Sequence, residues 1–147
     1  LADHIPRLYR ESRQFRESMD RHSKSYQDSR VKAVVSIAPA PPVRAFEPHS
    51  LQEIAIPVHI IVGRGDTEAP FDECALWLQK QNAAFDVDLL DTNVGHYVFL
   101  PEATETGKKL EPSICSDPDG VDRRAIHDNT VAATEQLFRR VIEKGLS

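Results

Sequence analysis

The spacing of apolar residues changes several times along this chain, and each change predicts an element. Between residues 5 and 26, Ile5, Leu8, Phe15, Met19 and Tyr26 recur at spacings of three, four and seven among Arg, Glu and Gln, which predicts a helix with a narrow apolar stripe. Val31, Ala33, Val34, Val35, Ile37 and Ala38 then form a nearly continuous apolar run, the pattern of a strand buried on both faces in a parallel sheet. Pro39, Pro41, Pro42 and Pro48 exclude regular structure over 39–50, so a loop leaves the carboxyl end of that strand, with at most one short helical turn at "SLQEI". A second strand, Val58 to Val62, follows Pro57 and runs into "GRGDTEAP". Pro70 is placed to open a helix carrying Phe71, Cys74, Trp77 and Leu78 that ends near Asn82. Phe85 to Leu90, bounded by Asp91-Thr92-Asn93, reads as a third strand, and its following loop carries "VGHYVFLPEA". Residues 101–120 read as a long irregular segment rich in Pro, Gly, Asp and Thr. From Val121, the positions Ile126, Thr130, Ala133, Leu137, Phe138, Val141 and Ile142 describe a closing amphipathic helix that Gly145 stops.

Helices and apolar strands in this order predict an α/β fold: a parallel sheet of about three strands with flanking helices. Three such strands leave apolar edges open unless a further segment or another copy of the chain pairs with them, so the pattern predicts half of a larger sheet. A length of 147 residues suits one globular domain, here 30–147, preceded by a helical segment over 1–29. That segment is either a lid over a site or a helix packed on the sheet. The net charge of −5 gives no general attraction to phosphate or anionic lipid, and nucleic acid is not an expected partner. No apolar run reaches the roughly 20 residues of a membrane span, and the first residues carry no secretory-signal pattern. Cys74 and Cys115 either pair in an oxidising compartment or stay apart, with separate thiols preferred, and the compartment stays open between cytoplasm and periplasm or secretion. The chain begins at Leu1 rather than a methionine, from which a longer parent is expected.

The chemistry concentrates at one edge of the expected sheet. Asp66 follows the second strand on a turn flanked by Gly63 and Gly65, and His96 follows the third, thirty residues later. Loops at the carboxyl ends of parallel strands meet at one edge, so an acid and an imidazole converge there. A carboxylate bonded to one ring nitrogen fixes the tautomer and stabilises the imidazolium, while the other nitrogen takes a proton from a nucleophile. Taken separately, Asp66 could merely stabilise its own turn or cap a helix, and His96 could be an ordinary loop histidine. The pair carries the expectation. Tyr97 and Phe99 follow so closely that either could line an acyl pocket, although Phe99 and Trp77 also suit a core. A metal held by Asp66, His96 and His127 or His49 is not expected, because no HxH or HExxH spacing is present; no cofactor is expected either. His127 reads as a surface or packing residue. The tripeptide Arg64-Gly65-Asp66 is accounted for by the strand turn rather than by adhesion.

A serine hydrolase of the α/β type places its nucleophile in GxSxG before the acid and the histidine. Of six glycines here, only Gly145 stands two residues before a serine, Ser147, so the nucleophile is not in this sequence. "VKAVVSIAPA", "IPVHIIVGRGDTEAP", "VGHYVFLP" and "CSDPDGVDRRAIHDNTVAATEQLFRR" resemble the carboxyl-terminal half of an α/β-hydrolase, closest to the predicted dienelactone hydrolase group of esterase-like proteins, over residues 30–144. The resemblance implies a serine-type hydrolase acting on a small ester or lactone, with Asp66 as the acid, His96 as the base and the nucleophile elbow upstream of Leu1. It also implies that the amino-terminal half of the same enzyme completes the sheet, residues 1–29 being a variable segment between the nucleophile helix and the sixth strand. The other reading is a non-catalytic α/β module that assembles through its open sheet edge.

Overall fold

A computed structural model describes residues 4–22 and 24–145. Leu1 and Ser147, on which two of the sequence expectations fall, lie outside them. The chain divides after Arg30 into two compact units. The first holds two helices, α1 (Ile5–Glu11) and α2 (Arg13–His22), where the periodicity predicts one helix over 5–26. The break falls at Ser12, whose backbone is extended and whose hydroxyl accepts the Phe15 amide at 3.2 Å. A serine that caps a new helix stops the old one, because its side chain competes for the backbone donors. Tyr26 lies beyond α2, its hydroxyl bonded to the Arg21 carbonyl at 2.7 Å.

The second unit is an α/β fold. Strands β1 (Val34–Ile37), β2 (Val58–Gly63) and β3 (Asp86–Leu90) form a parallel sheet in the order β1-β2-β3. Val34 pairs with Val58 and Ile61 with both Ile37 and Asp88, so alternate residues of each strand share a face. On one face Ile60 and Val62 pack with Leu51, Ala75, Leu78 and Phe85 into the core, and Trp77 packs against it. Each such fully buried aliphatic side chain contributes about 1.5–3 kcal/mol. The other face carries Ile61, which is buried, together with His59, Asp86 and Asp88.

β1 is shorter than the apolar run suggests, with Val31 lying exposed before it, and it is not buried on both faces, since Ile37 is exposed. The reason is its place in the sheet, since it pairs only with β2 and no other described strand covers its outer edge. Just after it, Ala38 adopts a left-handed backbone with φ 44° and is bonded through its amide to the Ile61 carbonyl. The proline-rich stretch is not a plain loop. It forms a 3-10 turn at Pro41–Ala45 and helix α3 (Pro48–Gln52), each with a proline in its first turn, where the missing N–H costs nothing. After Pro70 a turn precedes α4 (Ala75–Gln81), so the helix begins five residues later than expected and ends, as expected, at Asn82. The Asn82 amide closes it on the Leu78 carbonyl at 3.1 Å, and its side chain ties that end to α3 by donating to the Leu51 and Ile54 carbonyls, both at 3.0 Å.

Residues 101–120 hold two short helices, α5 (Glu105–Leu110) and α6 (Pro112–Cys115), where irregular chain is expected. Thr104 caps α5 through its hydroxyl to the Gly107 amide, and Pro112 opens α6. The closing helix α7 (Arg123–Gly145) is capped by the Asp122 carboxylate on the Ala125 amide at 3.0 Å. Leu137 is its buried apolar contact, while Phe138 and Ile142 are exposed. Both thiols are free, Cys74 sealed in the interior and Cys115 half-buried on α6.

Candidate active site

The loop after β2 and the loop after β3 are packed on each other backbone to backbone. A Cβ on Gly63 would lie 2.0 Å from the Val94 carbonyl oxygen, and one on Gly65 would lie 2.6 Å from that of Thr92. The glycines are therefore required for this close approach. The Gly65 amide donates to the Val94 carbonyl at 3.0 Å, closing the clasp.

The clasp delivers Asp66 to His96. Asp66 Oδ2 lies 2.8 Å from His96 Nδ1. A carboxylate there can only accept, so Nδ1 carries the proton and, in the neutral ring, Nε2 carries a lone pair. The other carboxylate oxygen, Oδ1, accepts the amides of Glu68 at 3.0 Å and Ala69 at 2.7 Å. Asp66 thus stabilises its own turn and orients the histidine, each with a different oxygen. Its side chain is 0 % exposed, against 29 % for His96. No described residue bonds His96 Nε2, which leaves that nitrogen available to a reacting group.

His96 opens a 3-10 turn, His96–Phe99, and lines a groove of about 400 Å³. Thr67, Glu68 and Tyr97 line it beside the histidine, and Ser113, Ser116 and Asp117 line it from the α6 segment. The Tyr97 ring stands edge-on to the imidazole, centroids 5.3 Å apart at 88°. Phe99 is not among the lining residues, because the 3-10 turn rotates it away from Tyr97. No lysine or arginine lines the groove. Among the described residues no three His, Cys, Asp or Glu side chains are grouped to hold a metal ion; His49 is an exposed residue of α3, and His127 donates to a backbone carbonyl instead.

No protein-family model, no curated protein and no solved structure matches this chain. The chemistry of the site itself therefore carries its interpretation.

Three features escape a pattern-based reading of the sequence. Arg123 is 7 % exposed and donates to Asp117 through Nε and Nη2 at 2.8 and 2.9 Å, an ion pair that raises its pKa. An Asp six residues before an Arg at a helix start is the signal that could have exposed it. Ser113 and Ser116 join the groove only because α6 folds back, which spacing does not announce. His59, at an inward position of an otherwise apolar strand, bonds Asp86 Oδ2 through Nδ1 at 2.9 Å, while its Nε2 is buried without a partner. A lone polar residue in a buried period-two pattern was the available signal there.

Proposed function

We propose that this chain supplies the acid and the general base of a Ser-Asp-His triad that hydrolyses a small ester or lactone. The observation carrying the proposal is the sealed Asp66 carboxylate 2.8 Å from Nδ1 of a histidine that lines a groove with Nε2 unpartnered. In this reading Nε2 takes the proton from a serine hydroxyl as its oxygen bonds the substrate carbonyl carbon; the imidazolium then returns that proton to the departing alkoxide. Water attacks the acyl-enzyme by the same two transfers, releasing the acid and restoring the serine. Asp66 stays ionised throughout and stabilises the imidazolium. The groove is lined by the carboxylates of Glu68 and Asp117 and by no lysine or arginine, which disfavours an anionic substrate.

The serine belongs, in this proposal, to a nucleophile elbow in the amino-terminal half of the same enzyme, since no GxSxG lies within this sequence. The open outer edge of β1 is where such a half would continue the sheet. The same open edge favours a second reading, a non-catalytic module that assembles with another chain or its own copy.

Hydrolysis of nitrophenyl acetate at pH 8 separates the two. The chain alone is expected to be inert, the elbow-bearing parent active, and His96→Ala in the parent slower by roughly 10³–10⁶-fold. Full activity in His96→Ala would overturn the hydrolase reading.

A further inference from the structure

The glycine clasp fixes His96 from its amino-terminal side; on the other side the histidine opens a four-residue 3-10 turn, a form with poorer hydrogen bonds than an α-helix, in which Val98 is buried. Three backbone carbonyls just past His96 are taken by two side chains from the first turns of α7. His127 Nε2 donates to the Val98 carbonyl at 2.7 Å, and Arg123 Nη1 donates to those of Leu100 at 3.2 Å and Pro101 at 3.1 Å. The remaining Arg123 donors reach the opposite wall of the groove: Nη2 to the Ile114 carbonyl at 3.2 Å and to Asp117 Oδ1, and Nε to Asp117 Oδ2. A guanidinium has five N–H groups, and all five are used here. Residues four apart share one helix face, so the two side chains act from a single rigid platform.

We propose that His127 and Arg123 are positioning residues: they hold the turn after His96 at the place where Nδ1 meets Asp66. A packing role would only fasten α7 to the rest of the unit. A positioning role makes the Asp66–His96 hydrogen bond itself depend on side chains that touch neither partner. The functional meaning rests on the reading of His96 as a general base, but the dependence does not, so the test reads the hydrogen bond rather than hydrolysis.

The Asp66 side chain is sealed, which shields the Nδ1 proton of His96 from exchange, so a low-field imidazole N–H resonance is expected from the ¹⁵N-labelled chain, assigned by its disappearance in His96→Gln. His127→Leu, which removes the donor to Val98, is expected to abolish that resonance while circular dichroism still reports a folded chain. His127→Gln retains an N–H donor and is expected to restore it. Arg123→Lys keeps the charge but offers three N–H groups in place of five, and is expected to broaden it beyond detection; this variant carries the test should His127→Leu fail to fold. An unchanged resonance in folded His127→Leu or Arg123→Lys, its loss in folded His127→Gln, or its absence from the unsubstituted chain overturns the proposal. Hydrolysis by the parent enzyme, whatever its outcome, leaves this result standing on its own.

Discussion

Two aspartate–histidine pairs occupy opposite ends of the same two strands, and their hydrogen bonds are nearly indistinguishable: 2.8 Å between Asp66 and His96, 2.9 Å between Asp86 and His59. Their surroundings are reversed. At the carboxyl ends of the strands the acid is 0 % exposed and the histidine 29 %; at the amino ends the histidine is 12 % exposed and the acid 70 %. His96 presents Nε2 beside a groove, whereas Nε2 of His59 is buried with nothing to bond. The hydrogen bond alone therefore does not make a base. A working pair needs its acid shielded from water, so that the charge acts on the imidazole, and its far nitrogen reachable. The second pair has neither property.

Substitutions should pull the two pairs apart. The largest contrast is expected between the acids: in the proposed complete enzyme, Asp66→Asn should lower ester turnover by about 10⁴-fold, less than loss of His96 where that loss reaches the top of its range, while Asp86→Asn leaves turnover unchanged. Equal effects would remove the distinction between the pairs. Next comes the clasp that only the first pair has. Gly63→Ala places a methyl group against the Val94 carbonyl and should cost about 3 kcal/mol of unfolding free energy in urea titration. A cost near zero would show that the loops can part freely. The histidine of the second pair should matter far less: His59→Leu removes a buried nitrogen without a partner, and stability should rise or stay within about 1 kcal/mol, since the exposed Asp86 is rehydrated. A marked loss would assign His59 a structural bond that its Nε2 does not show. The smallest effect is kinetic. Burial raises the pKa of the Cys74 thiol, with nearby Glu73 and Asp66 adding to it, so Ellman's reagent should label Cys115 in the native chain and Cys74 only after unfolding.

Legibility in the sequence divides along physical lines. β2, β3 and the end of α4 are legible because apolar runs of strand length lie between strong breakers, and the pairing of Asp66 with His96 is expected because parallel strands bring their carboxyl-end loops together. The errors arise where one side chain decides locally. Ser12 ends α1 by capping α2; Pro41, Pro48 and Pro112 open short helices rather than forbid them; Thr104 caps α5. A periodicity argument sees none of these, because a cap or a first-turn proline acts over three or four residues. β1 defeats it differently. Its composition is that of a central strand, but burial depends on neighbours, and here the strand is an edge. The part played by Arg123 was hidden for a third reason: its acceptors are mostly backbone carbonyls, which have no letter in the sequence.

The close contact at Gly63 and Gly65 also bears on time. Because the acid's loop and the histidine's loop share a hydrogen bond from Gly65 to Val94 and leave no room for a methyl group between them, neither can fluctuate far without the other. Local openings of a protein occur in cooperative units set by such contacts. The amides of Gly65, Asp66 and Val94 should then show one common opening free energy in hydrogen–deuterium exchange, as members of a single opening in which the acid's loop and the backbone leading into the imidazole part together.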